Sequence, residues 1–211
     1  MAAKKTKKYV YPFGAGKTEG KTEMKQLLGG KGANLAEMSG LGLPVPPGFT
    51  ITTEACAQYY EIGPKALFSR IKNQIDSALA RLEQSSGKTF GKGPKPLLLS
   101  VRSGAAVSMP GMMDSVLNLG LNPGTVKAMI ALTGNERFVL DSYRRFIQMF
   151  GDVVLDVDHH DFEVELEAVK KRCRAKLDTD LSAEHLAEVV KRYKALVRKK
   201  TGRAFPDDPR A

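Results

Sequence analysis

The stretch from Ser100 to Asn122 most constrains how this chain can fold. It reads Ser-Val-Arg-Ser-Gly-Ala-Ala-Val-Ser-Met-Pro-Gly-Met-Met-Asp-Ser-Val-Leu-Asn-Leu-Gly-Leu-Asn. An apolar run before it, Leu97-Leu98-Leu99, has the character of a short buried strand. Beyond it the sequence turns to helical periodicity. A fold must therefore deliver Arg102 at a strand exit, carry the chain through a loop, and then change texture. Gly104, Gly111, the small and hydroxyl residues between them and the Met-Pro-Gly corner permit tight turns and leave backbone N–H groups open to a ligand. An arginine at a strand end beside such a loop suits a phosphate, because its planar fork donates two parallel hydrogen bonds to anionic oxygens. A structural turn whose arginine pairs with a surface carboxylate fits the same residues.

The chain has 211 residues, enough for one large domain or two small ones with a real core. No apolar run approaches the ~18 residues that would cross a bilayer, and Met-Ala-Ala-Lys-Lys-Thr-Lys-Lys at the start does not resemble a signal peptide. A cytoplasmic, non-membrane protein is expected. Cys56 and Cys173 are isolated, which indicates neither a zinc ribbon nor a disulfide framework. The formal net charge is +10 and the pI is near 9.6, so anions are the preferred partners: nucleotide, phosphometabolite, nucleic acid or a membrane surface. Much of the excess sits at Lys4, Lys5, Lys7 and Lys8 and at Arg198, Lys199, Lys200 and Arg203, which read as solvated ends.

In order, residues 1–8 read as a disordered basic arm and Lys8 to Phe13 as a short strand. Ala15 to Thr22 nearly matches a phosphate-cradling P-loop, but Ala15 replaces the leading glycine, and Gly29 and Gly30 break the helix that would follow from Glu23. A solvated turn is the simpler reading. Leu28 to Leu35, Leu-Gly-Gly-Lys-Gly-Ala-Asn-Leu, carries more weight. Its glycines allow close backbone approach, Lys31 supplies a cation, and the helix starting at Ala33 offers N-terminal N–H groups to an anion. A helix-to-helix turn with an exposed lysine and the Gly-x-x-Gly clamp of a KH nucleic-acid module fit the same residues.

Leu43 to Gly48 is a rigid proline-rich connection, followed by a strand at Phe49 to Thr52 and a helix capped by Thr52 or Thr53. A longer helix from Gly63-Pro64 to about Glu83 carries Leu67, Ile71, Ile75, Ala78, Leu79 and Leu82 on one core face. After Asn122-Pro123-Gly124 helices dominate: Thr125 to Leu132, one capped by Asn135 and ended by Gly151, one from Asp161 to about Lys176, and one capped by Ser182. Arg144 and Arg145 read as surface salt-bridge residues or a docking face. His159 and His160 read as a polar loop, since adjacent rings seldom converge on one ion, and His185 as exposed. No nucleophile, base and orienter set suggests acyl transfer.

Taken together, Gly-Gly-Lys-Gly-Ala-Asn-Leu at 29–35, Pro-Pro-Gly-Phe-Thr at 46–50, Ser-Val-Arg-Ser-Gly at 100–104 and Asp-Ser-Tyr-Arg-Arg-Phe-Ile-Gln-Met at 141–149 closely resemble the start of the pyruvate, phosphate dikinase family. The resemblance runs from about Lys8 to the end. Phosphoenolpyruvate synthase and the glucan dikinases resemble it at the Gly-Gly-Lys and Val-Arg-Ser positions but lack Ser-Met-Pro-Gly-Met-Met-Asp; a synthase-type relative and a KH-like module are the alternatives.

The resemblance implies an α/β (α+β) fold of ATP-grasp type, in which ATP and inorganic phosphate react to give AMP, pyrophosphate and, with pyruvate, phosphoenolpyruvate. Lys31 and Arg102 match the family's lysine and arginine that hold the nucleotide phosphates. Gly111, Met112 and Met113 match a mobile loop near them. Phosphoryl transfer is mostly positioning and charge neutralisation, for which a lysine, an arginine and Mg²⁺ are fitting parts. It further implies that the Mg²⁺ ligands, the phosphocarrier histidine and the pyruvate-binding domain lie outside this chain, that the chain alone has no dikinase turnover, and that the complete protein is a homo-oligomer whose other domains are its partners. The expected organisation is an α/β nucleotide-binding subdomain with a small mixed sheet at 1–121, an inserted helical lobe at 122–200, and a closing segment at 201–211 that returns toward the first subdomain.

Overall fold

The computed structural model describes residues 7–14, 18–104 and 114–210. The described residues form two compact units: those within 7–87 with 103–104, and 88–102 with 114–210. Its architecture is α+β, with helices accompanied by small sheets.

In the first unit β1 (Val10–Phe13) pairs antiparallel with β2 (Gly48–Ile51), Val10 opposite Ile51 and Phe13 opposite Gly48. The Phe13 ring lies against Gly48, where an added Cβ would meet it at 2.5 Å. Three helices follow the chain around this ribbon: α1 (Lys25–Gly40), α2 (Thr53–Ile62) and α3 (Pro64–Ser86). Thr52 ends the strand and caps α2, its hydroxyl accepting from Ala55 N. Pro64 opens α3 and left-handed Gly87 closes it, an asymmetry that suits both residues. The core is small: Tyr9, Ala55, Leu67 and Ile71, with Ile62 and Ile75 against it. Gln74 of α3 ties the sheet to that core. Its Oε1 accepts from Tyr9 N and Val10 N at 2.8 and 3.2 Å, and its Nε2 donates to Lys7 O at 2.9 Å. The edge of β1 thus has its amides satisfied by a side chain instead of a third strand.

The second unit has the larger core. β3 (Thr89–Phe90) pairs parallel with β4 (Pro96–Leu97), and β5 (Leu99–Arg102) pairs antiparallel with β6 (Ser115–Leu119) through a register shift between Leu99 and Val101. Where the sequence predicts one small mixed sheet, the described residues form three separate two-stranded ribbons. The helices are α4 (Pro123–Thr133), α5 (Glu136–Val153), α6 (His159–Cys173) and α7 (Ala183–Thr201). Val116 of β6 is buried in the same cluster as the apolar faces of α5, α6 and α7. The strand pair before residue 122 therefore packs with the helices that follow it. Residues 202–210 also lie with this unit: Phe205 is buried and meets the rings of Phe146 and Phe150 at 5.8 and 5.6 Å.

Arg144 departs most from its sequence reading. It is only 2% exposed, because α5 turns it inward. Its Nε donates to Asp141 Oδ1 at 2.8 Å and its Nη2 to Asp178 Oδ2 at 2.6 Å, and Lys170 Nζ lies 3.3 Å from Asp178 Oδ1. Arg137 donates to the backbone carbonyls of Leu181 and Asp178, which fixes the same turn. Arg145, one residue on, stays exposed and reaches Asp141. Burial pushes the Asp178 carboxyl up, but the Arg144 charge and the Lys170 hydrogen bond outweigh it, and the net shift is below the ordinary value.

A carboxyl depressed in the folded state stabilises above its unfolded pKa and loses that contribution as pH falls through the folded value. Chemical unfolding of the chain should therefore show its midpoint falling as pH drops below about 4, and Asp178→Asn should flatten that dependence. Arg144→Met leaves two carboxylates facing an uncharged side chain, and should cost about 2–4 kcal/mol at pH 7. Equal midpoints for wild type and Arg144→Met would refute this account of the network.

Candidate functional site

The first unit holds the glycine-rich stretch that the sequence singles out. α1 is not one continuous helix: Gly29 has φ 69° and ψ 166° and divides it. That region is essentially restricted to glycine. The carbonyls just upstream of the break are satisfied from outside, since Thr53 Oγ1 donates to Gln26 O at 2.6 Å and to Leu27 O at 3.3 Å. Below the break Ala33 and Ala36 are buried. Gly32 is buried against β2, where an added Cβ would lie 2.7 Å from Thr50 Cγ2. The helix thus approaches the strand closely at Gly32 and exposes Lys31 on its other side. Gly30 faces open space, with nothing within 4 Å of a notional Cβ. Lys31 Nζ donates to the backbone carbonyl of Ser103 at 3.2 Å.

Arg102 belongs to the second unit. It is the last residue of β5, opposite Ser115, and its side chain is exposed. Among the described residues its guanidinium has no hydrogen-bond or ion-pair partner. The alternative of a turn arginine held by a surface carboxylate is not what these residues form. The predicted loop residues Gly111, Met112 and Met113 lie outside the described residues.

The near P-loop falls partly outside them as well, at 15–17, and its described part is built differently from a phosphate cradle. Gly20 is packed against Leu28 and Ala36 of α1. Thr22 N donates to Glu37 Oε2 at 3.1 Å, so a carboxylate occupies one of the amides that a phosphate would need. Thr22 opens only a single 3₁₀ turn.

The histidines serve helix ends. His159 is the first residue of α6, its Nδ1 3.1 Å from Asp152 Oδ2, and Asp158 caps the helix by accepting from His160 N. The helix therefore begins two residues earlier than the sequence suggests and absorbs the polar loop. His185 is half-buried, its Nδ1 accepting from Ser182 N in a capping box. Among the described residues no group of three or more His, Cys, Asp or Glu could hold a metal ion.

Comparison with known proteins agrees with the family resemblance. Residues 25–84, which span α1 to α3, match the family described as "Pyruvate phosphate dikinase, AMP/ATP-binding domain". The Gly29 to Gly32 segment lies within the matched residues. Among similar proteins, the chain is 54% identical over 202 residues to "Pyruvate, phosphate dikinase" of Rhizobium meliloti, covering 96% of this chain and 22% of that protein. It is 53% identical over 209 residues to "Pyruvate, phosphate dikinase 1, chloroplastic" of Arabidopsis thaliana, covering 99% and 22%, and 50% identical over 204 residues to the Clostridium symbiosum enzyme, covering 96% and 23%. Over nearly its whole length the chain is related to the N-terminal region of the pyruvate, phosphate dikinases. It spans 22% of the length of the first two of these relatives. The KH-type reading of Gly29 to Gly32 has no comparable support. No helix among the described residues is long and apolar enough to cross a membrane.

The two adjacent glycines should respond oppositely to alanine. Gly29→Ala forces a Cβ into a glycine-only conformation and should cost about 1–3 kcal/mol, lowering the thermal midpoint by several degrees. Gly30→Ala has room and an ordinary φ, and should be neutral or slightly stabilising. Thermal melts of both variants test the break; equal midpoints would mean that α1 runs straight through Gly29.

Proposed function

We propose that this chain contributes ATP and phosphate binding to a pyruvate, phosphate dikinase, which converts ATP, inorganic phosphate and pyruvate to AMP, pyrophosphate and phosphoenolpyruvate. The observation that carries the reading is the broken α1, which exposes Lys31 at a glycine-flanked turn inside the segment that matches the AMP/ATP-binding family. Lys31 then acts as a point charge on a nucleotide phosphate, and Arg102, with no partner among the described residues, donates its planar fork to phosphate oxygens. Gly111, Met112 and Met113 cover the phosphates and limit access of water. Mg²⁺ enters with the nucleotide and is held by groups of the larger protein, of ATP-grasp type, whose remaining domains carry the phosphoryl group to pyruvate. The complete protein works in the cytoplasm as a homo-oligomer. The chain alone has no dikinase turnover on this reading.

Calorimetric titration of ATP with Mg²⁺ into the chain, repeated with Lys31→Ala and Arg102→Ala, tests the assignment. A charge-assisted contact is worth about 1.5–3 kcal/mol, so each variant should bind roughly ten- to a hundredfold more weakly. Undiminished binding by both variants would remove Lys31 and Arg102 from the phosphate site.

A further inference from the structure

The contact between Lys31 and Ser103 carries a consequence beyond phosphate binding itself. Several lysines of the second unit end on carboxylates: Lys170 on Glu167 and Asp178, Lys194 on Asp207, Lys200 on Asp161. Lys31 ends instead on a neutral backbone carbonyl, 3.2 Å from Ser103 O. A carboxylate neutralises an ammonium; a carbonyl orients it and leaves its charge in place. An ammonium has three donors, so one bond to Ser103 leaves two for another acceptor. The space beside Gly30, where nothing lies within 4 Å of a notional Cβ, is open to such an acceptor.

We propose that the Ser103 carbonyl is a positioning group for Lys31: it fixes the ammonium in advance, and the bond persists while the remaining donors take an anionic phosphate oxygen. A lysine loses considerable rotamer freedom when its head is immobilised. Ordering it before the ligand arrives moves that cost out of the binding step, as preorganisation does generally. The backbone supports this role because the Gly29 break, with Thr53 holding the carbonyls before it, fixes where Lys31 leaves the helix. The proposal rests on the phosphate-binding reading above.

The test follows the ¹³C resonance of the Ser103 carbonyl in the whole chain labelled at serine carbonyl carbons, with Lys31→Ala and Lys31→Gln beside wild type and inorganic triphosphate as the probe. Without ligand, both variants should shift the Ser103 resonance while other serine carbonyls stay in place, which also shows that the variants fold. On saturating triphosphate the wild-type resonance should stay at its tied position. By calorimetry both variants should bind triphosphate at least about tenfold more weakly. An unchanged Ser103 resonance in the ligand-free variants overturns the tie. Measurable triphosphate binding that moves the wild-type resonance to the variants' position shows that phosphate displaces the carbonyl, and overturns positioning while leaving phosphate binding intact. No triphosphate binding by wild type overturns the phosphate reading, and the orienting role with it.

Discussion

The glycine-only backbone at Gly29 is the constraint on which the candidate site depends. A residue with a Cβ could hold this conformation only under strain. With φ at 69° the helix stops and restarts. Three contacts then fix the restarted part: Thr53 satisfies the carbonyls before the break, Gly32 lets the helix approach Thr50, and Ala33 and Ala36 fill the space beneath. Removing a side chain at 29 and at 32 therefore accomplishes two separate things, a change of direction and a close approach. Lys31 lies between them and is exposed as the result of both.

The second unit solves a different problem. Its core contains a charged group, Arg144, buried where the helices α5 and α7 meet the turn after α6. Burying a lone guanidinium would be costly, so its donors must be met in place. Asp141 comes from one helical turn earlier, but Asp178 comes from a separate 3₁₀ turn, which Arg137 and Lys170 also grip. The network thus specifies where the α6–α7 connection lies more than it adds net stability. Tyr193, buried nearby against the Phe162 ring at 4.9 Å, extends the polar line through its hydroxyl to Gln148 at 3.5 Å.

Local chemistry was legible in the sequence, and long-range pairing was not. Thr52, Asn135 and Ser182 cap helices as their residue types imply, Gly151 lies at the end of α5 rather than beyond it, and Gly29 breaks α1 as a double glycine suggests. Each of these depends on a few neighbouring residues. Arg144 was misread because its i−3 partner Asp141 is visible in sequence whereas Asp178 is brought in by the fold. The partners within the small sheets were hidden for a similar reason. β1 is completed by Gln74 of a distant helix, and the pairing of β5 with β6 spans the Ser103 to Asp114 connection that the sequence shows only as a loop. In the first unit the double glycine made the break legible, but the Ser103 carbonyl that Lys31 meets was not, since a backbone acceptor has no residue-type signature.

The excess positive charge acquires meaning only when its partners are counted one by one. Arg172 and Arg192 both hold Glu188, whose carboxyl is lowered to about 2 chiefly by their hydrogen bonds, and Arg192 also reaches Glu165. Lys194 is shared between Asp207 and the faces of the Tyr143 and Phe205 rings. Such groups are already neutralised or engaged, and an incoming anion would have to displace a carboxylate. Lys31 imposes no such cost, because a carbonyl is its acceptor, and Arg102 has no partner among the described residues. Net charge draws anions toward the whole surface, but only cations left uncompensated by carboxylates can hold one without first breaking an ion pair. By that criterion Lys31 and Arg102 are more open to an anion than the paired lysines and arginines of α6 and α7.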